Sequence, residues 1–186
     1  MNDKKIFHIS SDFDLIKKPV WLDNFRQKYD KPYRYHITLK TSTYFDDKNF
    51  ENLKADMENI AKKYGKIPIV FDELFINHSL KGGCIMIKAK SNEELTGFQK
   101  EISNKFSKYG AHTTDEYEKF ERNFEPHITI ARHLTPEQLE NAKHELKKDL
   151  FCEALIETLS LTTVKNDLFE EWSNPQNRLH YKLQNK

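Results

Sequence analysis

Cysteine is nearly missing from this chain of 186 residues: Cys84 and Cys152 stand far apart, with no C-x-x-C pairing. That spacing excludes both a zinc knuckle and a disulfide-dense secreted scaffold, and leaves two small apolar thiols. No Pro/Gly/Ser-rich linker interrupts the chain, so a single domain over 1–186 is expected at this length. Long hydrophobic runs are missing too, both at the N-terminus, where a signal peptide would need one, and further on, where a membrane span would. A cytoplasmic protein is the expectation. Nor does either sign of charge dominate: 30 basic and 29 acidic residues leave a formal net charge of +1. This argues against an obligate DNA-coating protein or a polybasic membrane binder, so any anion site must be local. What the chain does have is bulk. Its 13 Phe, 8 Tyr and 2 Trp supply core mass to an otherwise polar composition, 37% hydrophobic against 32% charged.

Apolar periodicity predicts a strand over 5–9 and a helix carrying Trp21, Phe25 and Tyr29. A second helix carries Phe50, Leu53, Met57, Ile60 and Tyr64, with Gly65 as its expected C-terminal cap. Strands follow over 67–76 and 84–90. Ser91 and Glu94 have capping-box spacing ahead of a helix with Leu95, Phe98, Ile102, Phe106 and Tyr109 on one side. Residues 111–123 read as a charged loop or short helix, 125–132 as a strand, and Thr135-Pro136 as the start of a helix with Leu139, Ala142, Leu146 and Leu150. Strands over 155–164 and 178–183 close the chain. The order strand, helix, strand, helix, strand occurs twice, over about 5–76 and 84–164. This predicts an α+β fold of two pseudo-repeats, lobes of about 5–76 and 84–184, packed around a central cleft.

Matching strands of the two repeats carry the same tripeptide: His36-Ile37-Thr38 and His127-Ile128-Thr129. In a strand, positions i and i+2 share a face, so each His and Thr look one way and the Ile between them the other. Two further His-x-Thr tripeptides, at His112 and His133, lack this setting: the first lies in a loop, and Thr135 of the second is committed to a helix cap. His8-Ile9-Ser10 has no counterpart in the other half. Two imidazoles are a sufficient acid and base near neutral pH, and two threonine hydroxyls are natural donors to an anion. Lys40 shares the parity of His36 and Thr38, whereas Arg132 has the opposite parity to His127 and needs a twist or a strand end to join it. Tyr35 and Phe124 flank the motifs as possible stacking partners for a base. No H-E-x-x-H, H-x-H or acidic ligand cluster is visible, so neither metal nor cofactor is expected.

The run His36-Ile37-Thr38-Leu39-Lys40, followed by Phe124-Glu125-Pro126-His127-Ile128-Thr129-Ile130-Ala131-Arg132, resembles the two-histidine (2H) phosphoesterase superfamily. Within it the similarity is to the LigT-like branch, also called the 2′-5′ RNA ligase family. The first motif departs from the LigT pattern after Lys40, where Phe-Leu-Gly gives way to Thr41-Ser42-Thr43. The resemblance implies a bilobal pseudo-twofold fold, two sheets facing a cleft with helices outside. It also implies a metal-independent phosphodiesterase in which His36 and His127 are catalytic and Thr38 and Thr129 bind phosphate, with Lys40, Arg132, Tyr35 and Phe124 as further substrate contacts. The implied substrates are RNA ends or small nucleotides bearing 2′,3′-cyclic phosphate, or 2′-5′-linked oligonucleotides, handled by a monomer without an obligate protein partner. The alternative expectation is a non-catalytic module that binds nucleotides or RNA ends in the same cleft.

Overall fold

The computed structural model describes residues 4–30, 34–79, 82–166 and 168–185. Among the described residues, nine strands form two antiparallel sheets. The first runs in the order β3 (Tyr35–Asp46), β1 (Lys4–Phe13), β8 (Thr158–Val164), β9 (Arg178–Lys182). The second runs β2 (Leu15–Lys17), β7 (Cys152–Ile156), β4 (Ile67–Ser79), β5 (Gly82–Ala89), β6 (His127–Leu134). Sheet membership does not follow the two halves of the sequence. The first sheet draws β1 and β3 from the first half and β8 and β9 from the second, while β4 crosses the other way, so contiguous lobes of about 5–76 and 84–184 are not how the strands assemble. Hydrogen bonding, not chain order, closes each layer, and an antiparallel sheet accepts any neighbour of the right direction and pattern.

The helices form where the apolar stripes lie. In α2 (Phe50–Lys63) Leu53, Met57 and Ile60 are buried, and in α3 (Glu93–Phe106) Leu95, Phe98, Ile102 and Phe106 are. Both cover the outer face of the first sheet, where Phe7 of β1 packs on Phe45 and Phe106. α1 (Leu22–Tyr29) and α5 (Pro136–Glu145) cover the second. Burial of Phe7 and Ile9 of β1 against this layer turns His8 and Ser10 to the other face, with Asp12 following by alternation, while Phe13 stacks on Phe71 of β4.

Helices form where the local signals place them, while their caps and ends differ. Thr135 makes the expected capping box with Gln138, but α3 is capped by Asn92, whose side chain accepts from Leu95 N, and not by Ser91. α2 ends at Tyr64 in extended geometry, so Gly65 is no left-handed cap; it bridges to Gln184 instead. α5 stops at Glu145, short of Leu146 and Leu150. The charged stretch before the second motif contains α4 (Asp115–Arg122), capped by Thr114, and the connection after β8 contains α6 (Phe169–Ser173). Among the described residues no helix is long and apolar enough to cross a membrane.

Candidate active site

Each motif lies on a strand whose alternation is intact through the tripeptide. His36 and Thr38 are half-buried while Ile37 between them is buried, and His127, Ile128 and Thr129 repeat the pattern. The strands β3 and β6 approach each other directly across the cleft. In both, the imidazole is fixed the same way: His36 Nδ1 lies 3.2 Å from the Arg34 carbonyl and His127 Nδ1 2.9 Å from that of Glu125. A carbonyl only accepts, so Nδ1 carries the proton and Nε2 is left as the site that gives or takes one. Thr38 and Thr129 stand two residues on, on the same face.

Immediately beyond each threonine the register slips. Ser10 pairs with Thr38, yet the next residue, Ile9, pairs with Lys40; Met86 pairs with Thr129, yet Ile85 pairs with Ala131. Each slip is a β-bulge, one extra residue that resets which face later side chains take. The two bulges move the two expected cations in opposite directions. Lys40 is turned onto the Ile9 side, where it is 1% exposed and bonds Glu121 Oε1 at 2.6 Å, so it is a structural partner of Glu121 and not a phosphate contact. Arg132 is returned to the histidine side, which supplies the twist its sequence parity required. Its Nε meets Asp30 Oδ1 at 2.6 Å, and its positive charge acts on both His36 and His127.

The flanking aromatics are placed differently from the expectation. Tyr35 is buried on the opposite face from His36 under the Arg26 guanidinium, 3.9 Å from the ring centre, because it alternates with the half-buried histidine. Phe124 packs against the core. The ring that does meet a motif is Phe120 of α4, edge-on to His127 with centroids 5.7 Å apart.

Residues that motif reading did not find complete the cleft face of the first sheet. Asp12 pairs with His36 across β1 and β3, and its Oδ2 accepts from Ser160 Oγ (2.8 Å) and Arg178 Nη1 (3.0 Å). Ser160 Oγ lies 2.9 Å from His180 Nδ1, and His8 sits edge-on to Trp172. Arg178, His180 and Lys182 alternate in sequence, a visible sign that they share a face; nothing in the sequence shows that the face adjoins His36.

Burial lowers the pKa of both motif histidines. At His36 the Arg132 charge adds to this, then Arg178, against the Arg34 carbonyl and Asp12; at His127 Lys88 and Arg132 add to it against the Glu125 carbonyl and carboxylate. His8 is pushed down to about 3, by burial first and then by His36 and Arg178, so it is neutral at working pH and is no second acid.

Two antiparallel sheets enclosing paired, identically tethered histidines define a phosphoesterase of the two-histidine class. A sequence model of the 2′-5′ RNA ligase superfamily matches residues 14–168, and the chain belongs to that superfamily. Two Staphylococcus epidermidis proteins provisionally named phosphoesterases are 28% identical over 141 residues, 74% of this chain and 78% of theirs. Among solved structures, E. coli LigT complexed with 3′-AMP shares the fold with a TM-score of 0.57 at 12% identity, covering 97% of this chain and 96% of its own. The protein TT0787 of Thermus thermophilus does so with a TM-score of 0.53 at 13% identity, covering 96% and 95%.

Proposed function

We propose that the protein hydrolyses 2′,3′-cyclic phosphates of RNA ends or nucleotides to 2′-phosphates, or the related 2′-5′ linkage, with His36 and His127 as acid and base. The observation that carries this reading is the matched tethering of the two rings, Nδ1–H on the carbonyl two residues before, with the charge of Arg132 common to both. One Nε2 takes a proton from water as its oxygen attacks phosphorus. The other, protonated, gives its proton to the departing 3′-oxygen, and the P–O3′ bond breaks to leave a 3′-hydroxyl and a 2′-phosphate. Thr38 and Thr129 donate to the non-bridging oxygens, and Arg132 offsets the charge that grows on them. That LigT has been seen with 3′-AMP and with NADP+ supports a ribose phosphate as the ligand class.

The test is incubation with a nucleoside 2′,3′-cyclic phosphate in EDTA, followed by phosphorus NMR. A 2′-phosphate signal is expected, and His36→Ala or His127→Ala should lower turnover about 10²- to 10⁴-fold, the worth of one placed acid or base. Near-wild-type turnover in either folded variant would overturn the assignment, and saturable binding without product would favour the non-catalytic module.

A further inference from the structure

We propose that Arg178, beside His180, forms a second anion subsite on the first sheet, one that takes the 5′-phosphate of the nucleoside whose cyclic phosphate lies at His36 and His127. This rests on the reading above and adds to it a preference for RNA ends and 5′-phosphorylated nucleotides over plain cyclic mononucleosides.

The register places the subsite. Thr38 pairs with Ser10, Ser10 with Ser160 and Ser160 with His180, so one continuous row crosses all four strands from the first motif to β9. Arg178 starts one row along, opposite Thr162, yet its Nη1 reaches back to Asp12, the residue paired with His36. Neighbouring strands lie about 4.8 Å apart, so the guanidinium is anchored roughly one strand from the catalytic ring. That is within the reach of one nucleotide.

The guanidinium is also set up to bind. Nε donates to Thr162 Oγ1 at 3.2 Å and Nη1 to Asp12, which fixes its plane, and Nη2 makes no hydrogen bond among the described residues. The side chain is 32% exposed while Asp12 beneath it is 5% exposed, so solvent reaches the guanidinium and hardly its counter-charge. His180 is held through Nδ1 by the buried Ser160, whose hydroxyl proton goes to Asp12, so Nδ1 is the donor and the exposed ring presents Nε2. A planar fork with a spare edge is the usual grip on phosphate. Position separates Arg178 from Arg132: Arg132 lies on β6 with His127, whereas Arg178 is anchored to Asp12 of β1, on the side of β3 toward β8 and β9. Arg178 therefore lies on the outer side of His36, away from the reacting phosphorus.

The experiment compares adenosine 2′,3′-cyclic phosphate with and without a 5′-phosphate, in wild type and in Arg178→Gln. Wild type is expected to show a KM at least about tenfold lower for the 5′-phosphorylated substrate, the worth of one charged hydrogen bond, and Arg178→Gln to bring the two KM values together, while the loss of its charge near His36 shifts kcat alike on both substrates. Arg178→Lys keeps the pair with Asp12 but has no second terminal nitrogen, so it serves if the glutamine variant is poorly folded and should lose the preference too. An absent preference in wild type, a preference retained in the variants, or an equal rise of KM on both substrates would overturn the subsite. If wild type turned over neither substrate, the proposed function would fall instead. Calorimetric titration with adenosine 3′,5′-bisphosphate against the 3′-monophosphate would then decide the subsite alone, tighter binding of the bisphosphate that disappears in Arg178→Gln supporting it and equal binding overturning it.

Discussion

The chemistry of His36 and His127 is set by three groups each: a carbonyl that fixes the tautomer, a cation that disfavours the imidazolium, and a partly buried position that does the same. Since both pKa values lie below that of free imidazole, the acid limb and the base limb of kcat/KM should both be displaced downward. A bell with its maximum below pH 6.5 is expected from initial rates between pH 4 and 9. A maximum above pH 7 would refute that electrostatic account. The motif residues were legible because period-two alternation is a local property, visible in His36-Ile37-Thr38 without knowledge of the fold. Lys40 and Arg132 were not, since their faces depend on an inserted residue in each strand. A bulge shows only when the partner strand is in place, as the pairing of Ile9 with Lys40 demonstrates.

At the scale of the element, α4 is held unusually. Its one buried residue is Glu121, and that carboxylate gathers Lys40 Nζ (2.6 Å), Ser103 Oγ (2.5 Å), Thr41 Oγ1 (3.1 Å), the Thr41 amide (3.2 Å) and His112 Nε2 (3.0 Å). The segment leading to it lies along β3, where the Tyr44 and Thr113 amides donate to the Ala111 and Ser42 carbonyls. Gly110 permits this approach, since a Cβ there would lie 1.9 Å from the Tyr44 carbonyl oxygen. A helix fastened by ions, with neighbouring Phe120 against His127, joins the integrity of the Lys40 pair to the second motif histidine. Burial raises the Glu121 pKa, but the bonds from Lys40, Ser103 and His112 and the Lys40 charge outweigh it and the net shift is downward. The stabilisation is therefore complete above the unfolded carboxyl's pKa, near 4.5, and is lost as pH falls through the lower folded value. Glu121→Leu, leaving Lys40 buried and uncompensated, should cost about 3–5 kcal/mol in urea unfolding. The double variant Glu121→Leu/Lys40→Met should recover most of it. No recovery would mean that the pair is not what fastens the helix. The acidic stretch betrayed none of this, since a lone buried glutamate among exposed Asp115, Glu116 and Glu118 has no distinguishing pattern.

For the molecule as a whole, near-neutral charge and a site with few cations predict a shallow response to salt. On the proposals above, two phosphates held by Arg132 and Arg178 would correspond to a log–log slope of affinity on salt of about −1.4 for a single-stranded ligand. The apparent affinity (1/KM) for a short oligonucleotide ending in a 2′,3′-cyclic phosphate, measured from 50 to 500 mM salt, should follow it, and a slope steeper than about −3 would imply a basic surface that 30 positive and 29 negative residues do not suggest. The α+β class could be foreseen from the element order. The exchange of strands between halves could not, because β4 and β8 carry apolar patterns that suit either sheet.

That exchange has a temporal side. During synthesis β3 emerges early, and its neighbour β1 even earlier, but β1 has its other edge bare until β8 is made, and β9 with Arg178 arrives last. The ribosome therefore releases His36 on a half-built sheet, and pairings between the two ends of the chain, such as Ile6 with Val164, must close before the first motif is framed. Such distant closure makes for slow folding, on the millisecond-to-second scale of high-contact-order domains, and no cut between the repeats can yield two halves that fold independently.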